Sequence, residues 1–201
     1  MTTAPRRTQA ERRAATRAKL LDATITCLVE HGYRDTSIGR ICEEAGVSHG
    51  GLFRHYPSRT ALVVSATDEV VTRHLAHLRS TLVESAPEDD MIDALVRFFR
   101  DAARSPMSVA WREVMVAART NEELRVALRP AVQRFEDAVM GAASRFPCER
   151  TSEREFGTLI LSLLHMFDSE ASTAVVVSTP DVEALRHDWA VEIVRAALEK
   201  P

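Results

Sequence analysis

Twelve consecutive residues, Ser48 to Arg59 (SHGGLFRHYPSR), hold two serines, two histidines and two arginines. Hydroxyls, imidazoles and guanidiniums at this density suit contact with anionic oxygens. Groups for making and breaking bonds are not assembled in the same way. There is no Gly-rich phosphate loop after a strand, no nucleophile elbow and no HExxH pair, so an enzyme is not expected. Cys27, Cys42 and Cys148 are scattered, with no CxxC, which argues against a disulfide framework or a zinc site. His74 and His77 lie three apart without a third ligand at suitable spacing and read as ordinary histidines. Neither a metal nor a cofactor is expected.

The charge is unevenly spread. Residues 1–60 carry ten Lys and Arg against six Asp and Glu, a net of +4, while residues 61–201 carry 16 against 23, a net of −7. Six of the basic groups fall within the first 20 residues. A basic head on an acidic body implies that the head alone meets a polyanion. No apolar run approaches the ~20 residues of a membrane span, and the N-terminus has no apolar core of a secretory signal. A reducing cytoplasm and no membrane are the expected setting.

The elements that must position these groups are all helical. Apolar residues recur at helical spacing, and glycines and prolines cut the chain into helices over about 9–30, 36–46, 48–57, 58–84, 88–104, 106–119, 121–146, 151–177 and 181–200. The expected fold is therefore all-α, about nine helices. It divides into a basic arm at 1–8 expected to be disordered, a three-helix domain at 9–57 and a helical domain at 58–201.

Within the first domain, Thr36 suits a helix N-cap, with Ile38, Ile41 and Ala45 facing inward. Gly46 suits a left-handed helix end, Val47 can plug the turn, and Ser48 can cap a second short helix. Two short helices joined this tightly are a helix-turn-helix, whose second helix enters the major groove. Leu52 and Tyr56, four apart, can anchor that helix, leaving His49, Gly51, Phe53, Arg54 and His55 outward. Gly50 and Gly51 each cost about 1 kcal/mol against Ala in a helix. They make sense if this backbone lies close to DNA.

The same stretch resembles the N-terminal signature of the TetR/AcrR family of transcriptional regulators. The resemblance runs through Gly32-Tyr33-x-x-Thr36-Ser37-Ile38, Ala45-Gly46-Val47-Ser48-His49-Gly50-Gly51-Leu52-Phe53-Arg54-His55-Tyr56 and Pro57-Ser58-Arg59-Thr60-Ala61-Leu62, within about residues 15–65. It implies that Thr36 and Ser37 meet backbone phosphates, and that Ser48, His49, Gly50 and Gly51 open the recognition helix near base edges. It further implies that Phe53, Arg54, His55, Tyr56 and Arg59 complete the DNA contact, with Arg59 on a phosphate. Phe53 replaces a usual Tyr, and Gly51 a usual Thr, Ser or Ala, so operator preference does not carry over.

The remaining helices would sense a ligand and pair two chains. Phe98, Phe99, Trp111, Met115, Phe135, His165 and Met166 are the candidates for an effector pocket, expected to take a largely apolar small molecule. The last helix is apolar on two sides, which suggests a homodimer. Phe156, Ile160, Leu163, Phe167, Leu185, Trp189 and Ile193 are the interface candidates. The expected function is a DNA-binding, ligand-responsive repressor on a palindromic double-stranded operator. An all-helical enzyme and a helical protein adaptor are the alternatives.

Overall fold

A computed structural model describes residues 8–84, 88–144, 146 and 151–198. Residues 1–7 of the expected basic arm lie outside them. The described residues form nine helices and no strand: α1 Gln9–Asp35, α2 Ile38–Ala45, α3 His49–Phe53, α4 Arg59–Glu84, α5 Glu88–Arg104, α6 Pro106–Ala118, α7 Glu122–Ala143, α8 Glu153–Ala174 and α9 Pro180–Leu198. Local chemistry marks several of the ends. Thr8 and Glu11 make a reciprocal capping box at the start of α1, and Ser152 and Glu155 repeat it on α8. Pro106 sits at the first position of α6, where its missing N–H costs nothing.

Two compact units emerge. The first combines the chain up to Val70 with Ala110–Leu128. Its core is made by Leu20, Ala23 and Cys27 of α1, Ile41, Cys42 and Ala45 of α2, Leu52 and Tyr56 around α3, and Leu62 of α4. This unit runs past residue 57 because Leu62, Val63 and Ala66 bury the start of α4. The end of α1 differs from the expected stop at Gly32. The helix continues to Asp35 across a kink, where Gly32 takes φ 70° and ψ 171°.

The second unit comprises Val71–Val109 and the chain from Arg129 onward. Its core joins Ile92, Leu95, Val96 and Phe99 of α5 to Phe156, Ile160, Leu163 and Phe167 of α8, with Ala190 and Val194 of α9. The α5 positions follow the i, i+3, i+4, i+7 rule of one buried helix face. Two buried carboxylates tie α5 to α8 and α9. Arg104 donates to Glu170 at 2.6 Å and to Glu183 at 3.0 Å, and Arg100 reaches both. Arg186 donates to the second oxygen of Glu170. A buried charge needs such partners, because an unpaired one costs several kcal/mol.

Candidate nucleic-acid interface

The α2–α3 pair is built by its turn. Ser37, not Thr36, caps α2: its hydroxyl accepts from the N–H of Arg40 at 3.3 Å. Gly46 ends α2 at φ 63° and ψ 37°. Its N–H donates to Glu43 O, and the N–H of Val47 donates to Cys42 O, the paired bonds of a left-handed helix end. Ser48 then caps α3 by accepting from Gly51 N at 3.1 Å. Gly46-Val47-Ser48-His49-Gly50 spells the G-x-S-x-G of a nucleophile elbow. Here, however, a helix rather than a strand leads into it, and the Ser48 hydroxyl is occupied as a cap.

The two glycines have different reasons. A Cβ on Gly51 would stand 2.9 Å from Cγ1 of Val47 and 3.2 Å from Oγ of Ser48, so a larger residue there would require the Val47 side chain to shift, and the tight turn is one reason for a glycine. A Cβ on Gly50 would meet nothing within 4 Å. Gly50 is left for an external surface to explain.

Leu52 and Tyr56 are buried, as their spacing indicated. Ser48, His49, Gly50, Phe53 and Arg54 are exposed, and Gly51 and His55 are half-buried. Phe53 stays 51% exposed, a large apolar group offered to a partner. Burial pulls the His55 imidazole below its ordinary pKa, and the charges of Arg13, Arg17 and Arg54 add to that. The Arg17 guanidinium lies 5.6 Å from the Tyr56 ring centroid. Arg13 and Arg17 thus gather beside the end of α3. The i, i+4 spacing of these two arginines on α1 is the sequence signal for this patch.

Three expected DNA contacts change place. Thr36 is buried, and its hydroxyl donates to Gly32 O at 2.7 Å, so it offers nothing to a phosphate. Tyr56 turns its ring into the core. Arg59 points inward: Nε donates to Thr36 O at 2.6 Å, Nη2 donates to Tyr33 O, and the guanidinium lies 4.2 Å from the Tyr33 ring centroid.

Residues 20–66 match the family model described as bacterial regulatory proteins, tetR family. A Mycobacterium tuberculosis protein, an uncharacterized HTH-type transcriptional regulator, is 30% identical over 96% of this chain and 99% of its own. The chain belongs to the TetR family of bacterial regulators. It is also similar to the HTH-type transcriptional regulator CymR of Pseudomonas putida, at 32% identity over 64% of each chain. A putative TetR-family regulator from Rhodococcus sp. shares the fold, with a TM-score of 0.68 at 20% identity over 92% of this chain and 100% of its own. The function is DNA-binding regulation of transcription by a helix-turn-helix, and the family is one of regulators rather than enzymes.

For a TetR-family protein, the remaining candidates need redistribution. Phe98 lines a cavity of about 600 Å³ in the second unit. Met166 lines another of about 490 Å³, beside Val177, Val182 and Arg186. Phe99 is buried in the core, Phe135 packs against it, and His165 is exposed. Trp111 and Met115 belong to the first unit and line neither cavity. Phe98 and Met166 thus line different cavities. Among the dimer candidates, Phe156, Ile160, Leu163 and Phe167 are buried within their own chain and cannot meet a second one, and Ile193 packs against the same core. Leu185 and Trp189 on α9 stand 67% and 50% exposed. No helix among the described residues is long and apolar enough to cross a membrane.

Proposed function

We propose that the protein is a ligand-responsive repressor. It binds a two-fold symmetric operator as a cytoplasmic homodimer and leaves it when a small effector binds the second unit. One observation carries the DNA reading: the α2–Gly46–α3 turn leaves Ser48, His49, Gly50, Phe53 and Arg54 exposed together. In the bound state His49 faces base edges, Gly50 admits the backbone close to the groove, and Phe53 covers a thymine methyl. Ser37, Arg54, His55 and the α1 arginines Arg13 and Arg17 take phosphates, which fix register without reading sequence.

The apolar side of α9, with Val182, Leu185 and Trp189 exposed, supports pairing with a second copy. A symmetric dimer presents two recognition helices to half-sites about 34–36 Å apart, or a multiple of that. The effector has no reaction to undergo. It favours a conformer in which the two heads are wrongly spaced for the operator. Among fold neighbours, the multidrug-binding protein EbrR was crystallised with imidazole (TM-score 0.65, 21% identity, 92% of this chain and 96% of its own). That is consistent with small-molecule binding in this fold.

Fluorescence anisotropy of a labelled duplex across several salt concentrations tests the reading. Binding that weakens steeply with salt, with tighter binding to a palindrome selected from the source genome, is expected. Absence of any duplex binding at low salt without a ligand would overturn it.

A further inference from the structure

We propose that the cavity formed by α4, α5 and the start of α6 takes an aromatic cation: a protonated amine or quaternary ammonium carried on a ring. This rests on the ligand-responsive reading above and assigns the effector's charge. The cavity holds about 600 Å³, enough for a small drug-sized ligand.

The charges lining it are unequal. Asp93 accepts from His187 at 2.7 Å, and Arg97 pairs with the same carboxylate one turn along α5. Arg97 thus already has a carboxylate partner, though its side chain is 65% exposed. Asp101, one turn further on, also lines the cavity and makes no ion pair among the described residues. The His74 imidazole does not offset it. Burial, and then the neighbouring His77, hold His74 below the ordinary histidine range, which keeps it neutral. Its Nε2 lies 3.4 Å from Oγ of Ser108, whose own proton goes to Ala102 O at 2.8 Å. Nε2 must then carry the hydrogen, leaving Nδ1 as an acceptor. An anion entering here would face Asp101, and Arg97, the arginine among the described lining residues, is already paired with Asp93. Asp101 is exposed, so its carboxylate stays hydrated at the cavity, where a ligand's cation can reach it.

The rings supply the other half of the site. His77 and Phe98 lie 5.0 Å apart between centroids, tilted at 57°, and both line the cavity. Phe98 and Asp101 are three apart on α5, so a ring and a carboxylate share one helix face at a separation of about 5 Å along the axis. A ligand with an aromatic ring and a cationic nitrogen a few bonds away matches both, and the cation also gains from the face of Phe98.

Calorimetry on the full-length protein separates the ligand classes with three related probes: benzyltrimethylammonium, benzyl alcohol and phenylacetate. The cation is expected to bind about tenfold or more tighter than the other two. Asp101→Asn should bring the cation to the level of the alcohol and leave the alcohol unchanged. Asp101→Glu should keep the preference, and Phe98→Leu should weaken cation and alcohol alike. Equal or tighter binding of phenylacetate or the alcohol, no binding of the cation at millimolar concentration, or an unaltered cation affinity in Asp101→Asn would each overturn the proposal. Duplex binding by ligand-free protein is read separately. If that fails, the DNA reading falls and the cation site stands. Cation binding that leaves the duplex bound keeps the site and removes its assignment to the effector.

Discussion

The backbone N–H of Tyr33 donates to Oε2 of Glu113 at 3.1 Å, so a carboxylate on α6 holds the kink in α1. The same oxygen would stand 2.9 Å from a Cβ on Gly32, whose φ of 70° with ψ near 171° belongs almost only to glycine. Thr36 closes back on Gly32 O, while Arg59 binds Tyr33 O and Thr36 O. Side chains from two helices and the loop thus fix the five residues that lead into Ser37 and α2. Gly32→Ala meets both the strained backbone and the carboxylate. It is expected to cost about 1–3 kcal/mol from the backbone alone, visible as a lower midpoint in urea unfolding. An unchanged midpoint would show that the kink carries no strain.

Glu113→Ala leaves the part-buried Tyr33 N–H without its acceptor, a loss of about 1–3 kcal/mol for a donor deprived of a charged partner. Glu113→Gln keeps an acceptor oxygen and should recover at least half of that. Urea midpoints of the two variants decide it. Equal losses would mean that the charge, not the hydrogen bond, is what matters. Arg59→Ala belongs with this group: it should lower stability while leaving the salt dependence of DNA binding as in wild type.

The salt dependence is expected to come instead from Arg13, Arg17 and Arg54. Arg13→Ala or Arg54→Ala should weaken operator and random duplex alike. Each should flatten log K against log salt by about 0.9 per contact, about 1.8 per dimer. His49→Ala should leave the slope alone and reduce discrimination between operator and mismatched DNA by about 1–3 kcal/mol. The assignment fails if the two classes of variant behave alike in one titration series.

How much of this was legible in the sequence depended on how local the cause was. Gly46, Val47 and Ser48 specify the turn from within a few residues, so the helix-turn-helix could be read directly. Thr36 and Ser37 are both good caps, and the choice between them is made by Arg59 and Gly32 through contacts that no local pattern reveals. Arg59 looked like a phosphate ligand because the carbonyls it binds lie 23 and 26 residues away. The stripe Phe156, Ile160, Leu163 and Phe167 was correctly periodic but wrongly assigned. Periodicity identifies a buried face without saying whether the neighbour is the same chain or another.

Proton linkage provides a separate check on the cluster around α3. His55 has a folded pKa below its ordinary value of about 6.5, so the unfolded chain binds more protons as the pH falls from there. Stability contributed by the neutral ring is complete above that value and drains away as the pH falls towards the depressed one. Phosphates near Arg13, Arg17 and Arg54 oppose the charges that depress it, so bound DNA should raise the His55 pKa. Duplex affinity is then expected to increase as the pH drops below about 6.5. His55→Gln should remove that part of the increase. An identical pH profile in wild type and His55→Gln would separate His55 from the phosphate contact.

Dimerisation is tested best by two variants with opposite expectations. Trp189 is half-exposed on α9, and its ring adds to the apolar face of Val182 and Leu185. Trp189→Glu places a charge in the proposed interface while touching little of the chain's own core. It should give a folded monomer, with wild-type helicity and half the mass in light scattering at micromolar concentration. Phe167 is completely buried among α5, α8 and α9. Phe167→Glu puts an unpaired carboxylate into that core, so it should unfold or aggregate the protein rather than dissociate it. A Trp189→Glu protein that remains dimeric would move the interface away from this part of α9. A Phe167→Glu protein that becomes a well-folded monomer would return Phe167 to the interface and contradict its burial.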